Sequence, residues 1–222
     1  MLQKLHQDFL NVPLYIWFAF VIFSLFFVLF PEADIAFSSL FYEDGFYLKG
    51  SLYELFFYKS VPIVVTILVL GSISLFLYNI SFKKNLLAIN AKKIIYIILV
   101  LSLAPGLIVN ATFKGNWGRA RPADIVQFGG EKIFTPAFVL SNQKGNSFSS
   151  GHGSAAFSVL GFALLMRRHR RLWIALALSY GVAVSFARII AGGHFLSDNV
   201  ASFFVVYITT HILYYFLMEK HI

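Results

Sequence analysis

The chain has 222 residues, 59% of them hydrophobic and only 13% charged, where soluble domains carry about a quarter charged residues, and its mean hydropathy is +0.75. With 26 Phe and 11 Tyr it holds more bulky apolar surface than one globular core encloses, which excludes a soluble domain and predicts an all-α, polytopic membrane protein. The lack of cysteine removes disulfides, thiolate nucleophiles and Cys-based metal centres, and the net charge of +8 is scattered over short loops, which speaks against a nucleic-acid surface.

At about 20 residues per crossing, the apolar segments 12–30, 61–80, 94–112, 152–166, 172–191 and 195–218 predict a six-transmembrane-helix bundle, a single domain over residues 1–222. The first follows a short stretch containing Lys4, and no small-x-small site follows Phe30, so it is expected to stay uncleaved. The first connection, 31–60, carries Glu32, Asp34, Glu43, Asp44 and Glu54 against Lys49 and is expected outside, with the aromatic stretch 37–47 lying at the interface or packed on the bundle. Lys59 reads as a snorkelling anchor at the mouth of the second span. Lys83, Lys84, Lys92 and Lys93 then mark a cytoplasmic loop, as do Arg167, Arg168, His169, Arg170 and Arg171 after the fourth span. Both termini are therefore expected in the cytoplasm, and connections 31–60, 113–151 and 188–194 outside. The fourth span is the shortest, which suits a helix whose outer end opens into a wet cleft.

The connection 113–151 breaks the charge rule, because Lys114, Arg119, Arg121, Lys132 and Lys144 lie on the outer side. An anionic ligand or lipid phosphates would compensate. It ends in Ser149-Ser150-Gly151-His152, where the free N–H groups of a helix start can seat a phosphate oxygen, although an N-cap beside an interfacial His is the plainer meaning. At the last outer turn Arg188 closes one span, while His194 and Asp198 open the next at i, i+4 spacing. Ionisable groups at that depth are expensive and mark a functional site; a His held by a carboxylate keeps one ring nitrogen free as nucleophile or base, and the bland alternative is a buried pair that pins two helices. The hairpin 152–191 returns both ends to one face, so His152, His194, Asp198, Lys114, Arg121 and Arg188 are expected to converge. His6, His169 and His221 fall in cytoplasmic segments, and His211 inside the last span reads as packing.

These residues resemble the type 2 phosphatidic acid phosphatase superfamily, whose signature runs K-x6-R-P, P-S-G-H and S-R-x5-H-x3-D. Lys114, Arg121 and Pro122 match the first part fully; Ser149 stands in place of the leading Pro of the second, and Ala187 in place of the leading Ser of the third. The motif region covers residues 114–198, and the departures fall on residues that shape the site, where the missing hydroxyl beside Arg188 would alter its support. The resemblance implies that His194 attacks phosphorus and forms a phosphohistidine, that Asp198 orients its ring, and that His152 protonates the leaving oxygen and then activates water. It implies phosphate binding by Lys114, Arg121, Arg188, the Ser150 hydroxyl and the Gly151 N–H, with no metal and no cofactor. Arg119 and Asp124 flank the first motif as tuners of Arg121, headgroup contacts or surface residues.

A site lined by spans at the outer surface favours a lipid phosphate as substrate over a soluble ester, and no obligate protein partner is expected. The run 113–122, with Gln127-Phe128 and the run 192–198, looks most like the bacterial lipid A phosphatase branch. That likeness implies an inner-membrane enzyme with its site facing the periplasm, acting on lipid A, with the 4′ position favoured over the 1 position. Dephosphorylation would weaken the outer surface's attraction for cationic antimicrobial peptides. Phosphatidylglycerophosphate and undecaprenyl diphosphate need the same machinery and are the alternative substrates. An anion transporter, a silent lipid-binding scaffold and a vanadate-dependent haloperoxidase are the readings from other classes. The first is disfavoured by the lack of an internal repeat and of paired broken helices.

Overall fold

The computed structural model describes residues 8–220; Lys4, His6 and His221 lie outside the described residues. The chain opens with a two-residue hairpin, β1 (Asp8–Phe9) and β2 (Val12–Pro13), paired Asp8 to Pro13 and Phe9 to Val12. Its turn residues, Leu10 and Asn11, both take positive φ, the conformation that matches the strand twist of tight hairpins. The other regular elements among the described residues are helical. α1 (Leu14–Leu29) follows Pro13, and at Pro31 the chain bends by 86° into α2 (Glu32–Ser39).

α3 (Leu52–Ser81) is the longest helix and begins well before the apolar run that marks it in the sequence. Ser51 caps it, its hydroxyl accepting the Glu54 N–H at 3.3 Å, and the helix continues through Pro62. Neighbouring helices and local adjustment let membrane helices tolerate such a proline. The following α4 (Ala91–Leu101) is capped by Asn90, whose Oδ1 accepts the Lys93 N–H at 3.0 Å. It then runs on as a wide π-helical stretch, Ser102–Lys114. Pro105 has no N–H to give the preceding turn, and the ladder re-forms at i−5 spacing. Asn110 Nδ2 accordingly donates to the Pro105 carbonyl at 2.6 Å and Thr112 Oγ1 to that of Leu107 at 3.0 Å.

The fourth expected span is two short helices, α5 (Gly151–Phe157) and α6 (Val159–Leu165), that meet at Ser158. α7 (Arg170–Ile190) and α8 (Leu196–Tyr214, extended as a π turn over Tyr215–Glu219) complete the bundle. Four helices are long and apolar enough to cross a membrane, namely Leu52–Ser81, Ala91–Lys114, Arg170–Ile190 and Leu196–Glu219, with a fifth if the bent α1–α2 pair counts as one span. Residues 151–165 form a shorter apolar helix. The chain is therefore a mostly helical, multi-pass membrane protein.

The centre of the bundle is α5, pressed between α7 and α8. Close approach depends on small residues, as in other membrane bundles: a Cβ at Gly181 would sit 2.1 Å from the Phe157 ring. Outward faces of α1 and α3 carry Ile22, Leu29, Ile63 and Ile67, all exposed, as a lipid solvent permits. The aromatic segment 37–47 packs on the bundle through part of its length. Phe46 is buried with Ala120, Ile125, Phe128 and Phe195, so this segment clamps the loop 115–150 onto the start of α8.

Candidate active site

α8 starts on a carboxylate. Asp198, three residues into the helix mouth, accepts the Phe195 N–H on Oδ2 at 2.9 Å, the placement in which an acidic side chain satisfies an orphan donor and the helix dipole. The same oxygen accepts the Ser147 hydroxyl at 2.6 Å, and Oδ1 accepts from Arg119 Nη1 at 2.5 Å. Asp198 is wholly buried, and so is Arg119.

Arg119 is the residue that sequence reasoning misplaced. It neither touches Arg121 nor faces solvent. Its Nη2 pairs with Asp34 at 2.8 Å, its Nη1 reaches Ser197 Oγ at 2.9 Å, and its Nε donates to the Thr135 carbonyl at 2.8 Å. Its guanidinium lies over the Phe195 ring at 4.4 Å. Asp34 in turn accepts the Ser197 N–H at 3.0 Å and makes a short bond to the Ser197 hydroxyl. Burial works against the charge on Arg119, but Asp198 and Asp34 outweigh it and raise its pKa above the usual arginine value. One guanidinium thus fastens α2, the loop 115–150 and α8 together. Asp124, the other flanking residue, pairs loosely with Lys132 at 3.9 Å at the surface.

His194 sits on the turn between α7 and α8, 1% exposed. Its Nδ1 lies 2.8 Å from the Ser147 carbonyl oxygen, an atom that only accepts, so Nδ1 carries the proton and Nε2 keeps its lone pair. Asp198 Oδ2 is 3.7 Å from Nδ1, near enough to stabilise positive charge on the ring but beyond hydrogen-bond length. Ser147 links the two, holding the carboxylate with its hydroxyl and the imidazole with its carbonyl. Burial lowers the His194 pKa from its ordinary 6.5, and the Asp198 charge opposes that shift only in part.

Arg188, in the last turn of α7, is held by α3. Its Nη1 is 3.4 Å from Glu54 Oε1, and its guanidinium covers the Tyr58 ring at 4.7 Å. The imidazole of His152 stacks on that same ring at 4.3 Å. Glu54, nearly buried, is tied down by the Gly50 N–H at 3.2 Å. Glu54 and Tyr58 are therefore site residues that the motifs do not include. Their i, i+4 spacing on α3 was the available signal.

Ser150 caps α5, its buried hydroxyl accepting the Gly153 N–H at 3.1 Å. A Cβ on Gly151 would stand 3.2 Å from Lys114 Nζ and 2.9 Å from Asn110 Oδ1, so the end of the π-helical stretch delivers Lys114 against the first turn of α5. The charges of Arg121 and Arg188 reach Lys114. Those of Arg188, His194, Lys114 and Arg121 all reach His152. Arg121 Nε and Arg188 Nε are buried without a hydrogen-bond partner among the described residues. All eight residues expected from the sequence thus gather at one end of the bundle, as a cationic pocket in which Glu54 pairs with Arg188. Such a cluster can hold a tetrahedral oxyanion beside an unprotonated imidazole nitrogen.

The remaining sequence assignments fall elsewhere. Lys59 is exposed on α3. His211 is packed, its Nδ1 on the Tyr207 carbonyl at 2.9 Å and its ring stacked on Tyr207 at 4.0 Å. Ser149 and Ala187, the two departures from the family signature, are both fully buried, and the Ser149 hydroxyl has no hydrogen-bond partner among the described residues.

No solved structure shows a significant match to the chain. Among curated proteins, the lipid A 4′-phosphatase of Francisella tularensis subsp. novicida (strain U112) is 34% identical over 210 residues, covering 88% of this chain and 91% of that protein. A lipid A 4′-phosphatase of Rhizobium leguminosarum is 29% identical over 197 residues, covering 77% and 81%. One of Rhizobium etli is 33% identical over 101 residues, covering 44% and 39%. A family model described as the PAP2 superfamily matches residues 95–222, the stretch that carries every motif residue above, and with these relatives it establishes that the chain belongs to the PAP2 superfamily and is a phosphatase.

Proposed function

We propose that this protein removes the 4′-phosphate of lipid A at the periplasmic face of the bacterial inner membrane, through a phosphohistidine on His194. The observation that carries this reading is a buried His194 whose Nδ1 is anchored on the Ser147 carbonyl, leaving Nε2 free, within electrostatic reach of Arg188 and Lys114. The names of the relatives support the substrate.

In the first step Nε2 attacks phosphorus in line, the bond from phosphorus to the sugar oxygen breaks, and His152 gives that oxygen a proton. In the second, His152 takes a proton from water, hydroxide attacks phosphorus, and the P–N bond breaks to release inorganic phosphate. Lys114, Arg121, Arg188, the Ser150 hydroxyl and the Gly151 N–H hold the equatorial oxygens as charge spreads over them. Asp198 and the Ser147 carbonyl stabilise the imidazolium side of the intermediate. With three cations supplied by the chain, no metal is required.

The topology that fits is six crossings in one domain, residues 1–222, with α5 and α6 together as the fourth. The positive charges of Lys83, Lys84, Lys92, Lys93, Arg167, Arg168, Arg170 and Arg171 lie in and beside two connections, which supports a cytoplasmic location for these and both termini and a periplasmic one for the site.

Two outcomes follow from the geometry. A Cβ at Gly193 would lie 2.2 Å from Arg188 Nη2, the movable end of a side chain, so Gly193→Ala should fold while displacing the guanidinium from the pocket. A fall of about 100-fold in kcat/KM is expected, by analogy with other misplacements of about 1 Å, with little change in thermal unfolding. The second concerns pH. Because the His194 pKa is lowered below 6.5, the nucleophile stays unprotonated under mild acidity, and the acid limb of log kcat/KM that His194 sets should fall below pH 6.5. The same shift means that the unfolded chain binds a proton the folded one refuses, so stability from this group is present above pH 6.5 and declines below it.

The test is phosphate release by the purified enzyme in detergent, with chelator, from lipid A, phosphatidylglycerophosphate and undecaprenyl diphosphate in parallel. Release from lipid A, with mass spectrometry showing loss of the 4′-phosphate, is expected. Release from either other lipid and none from lipid A would overturn the substrate assignment.

A further inference from the structure

At the end of α7 remote from the active site, a cavity of about 960 Å³ opens between α3, α6 and α7, at the upper end of the range of about 300–1,000 Å³ for ligand sites. Its wall is apolar, built by Val64 and Leu68 of α3, Phe162 and Leu165 of α6, and Trp173 and Leu176 of α7. It opens where α6 ends at Leu165 and the chain turns into α7 at Arg170. At its mouth stand Arg167, Arg168 and His169. The 21 residues of α7, at 1.5 Å each, separate this mouth from Arg188 by roughly 30 Å.

Arg167 and Arg168 are exposed and make no ion pair among the described residues, and Arg168 Nε donates to His169 Nε2 at 3.0 Å. The charge of Arg167 reaches Lys93, whose Nζ donates to the Leu87 carbonyl at 3.3 Å beside the same opening. Like charges gathered at the rim of an apolar slot within the span of a membrane helix match one kind of occupant, an amphiphile with an anionic head. From this juxtaposition we infer that the cavity is a binding site for an anionic phospholipid of the leaflet on that side, its phosphate at Arg167 and Arg168 and an acyl chain between α3, α6 and α7. This site is separate from the catalytic pocket and does not rest on the reaction proposed above. A bound lipid would fill the space between α3, α6 and α7 at that end of the bundle.

Trp173 in the wall provides the readout. The purified protein is titrated in detergent micelles with phosphatidylglycerol brominated on its acyl chains, and separately with brominated phosphatidylcholine, and the signal of Trp173 is taken as the quenching lost in Trp173→Phe. Phosphatidylglycerol should half-quench Trp173 at about one tenth the mole fraction that phosphatidylcholine needs. The variant Arg167→Gln with Arg168→Gln should bring the two lipids level while retaining phosphatase activity, since neither arginine is near the catalytic pocket. Equal quenching of the wild type by both lipids, or an anionic preference that survives the double substitution, would overturn the proposal. So would relief of the anionic preference by inorganic phosphate at millimolar concentration, because the mouth would then be a simple phosphate site.

Discussion

Replacing His194 with alanine should reduce phosphate release from lipid A by about 10⁴- to 10⁶-fold, the scale on which removal of an activated nucleophile acts in enzymes whose catalytic groups work as a unit. His152→Ala should cost about 10²- to 10⁴-fold, the range for a single general acid or base. The difference in rank follows from their positions. His194 is buried and fixed by the Ser147 carbonyl, with the lone pair aimed from a set place, whereas His152 is half-buried and held by stacking on Tyr58. Both variants should fold. Without His194 the Asp198 carboxylate keeps its bonds from Arg119, the Ser147 hydroxyl and the Phe195 N–H, and His152 contributes a ring contact at a helix start. Steady-state phosphate release, read beside thermal unfolding in the same detergent, separates chemistry from folding: large losses of rate with unfolding temperatures near that of the wild type are the expected pair of results.

Arg119 presents the opposite case, a residue remote from the phosphate whose loss should be felt first in stability. Arg119→Met leaves Asp34 and Asp198 buried without their shared cation, and removal of one partner from a buried pair costs about 3–5 kcal/mol. Much of the marginal stability of a domain is of that size. The variant should therefore unfold at markedly lower temperature and show little activity. Asp34→Asn should be milder, because the amide oxygen can still accept from the Ser197 N–H and from Arg119, and Asp198 remains neutralised. Combining Arg119→Met with Asp34→Asn should recover part of the stability lost in the single Arg119 variant, since one of the two stranded carboxylates is gone. A double variant no better than Arg119→Met would show that Asp198 alone carries the penalty.

The motif residues were legible because their chemistry and their spacing lie in side chains close together in sequence. His194 and Asp198 share a helix mouth, and Lys114 and Arg121 frame one loop entry. What was hidden lies between distant parts of the chain. Arg119 meets Asp34 across 85 positions and Arg188 meets Glu54 across 134, and no local pattern announces either pairing. The anchor of His194 is a backbone carbonyl, which every residue owns, so the sequence pointed to Asp198 as the direct partner while the structure interposes Ser147. The apolar pattern placed the helices but not their edges. Glu54 and Lys59 interrupt the hydropathy of α3 without interrupting its hydrogen bonds, and Ser158 breaks the fourth apolar run where the composition stays uniform. The widened winding of Ser102–Lys114 has a visible cause in Pro105, yet its effect, the delivery of Lys114 to Gly151, depends on how the helix is finally packed.

The stereochemical course at phosphorus tests the central claim most directly. A lipid A analogue bearing a chirally oxygen-labelled 4′-thiophosphate would be hydrolysed in isotopically labelled water, and the configuration of the released thiophosphate determined. Transfer to His194 followed by transfer to water inverts phosphorus twice, so the account predicts net retention. Net inversion would mean that water attacks the lipid phosphate directly, and His194 would then lose its role as nucleophile.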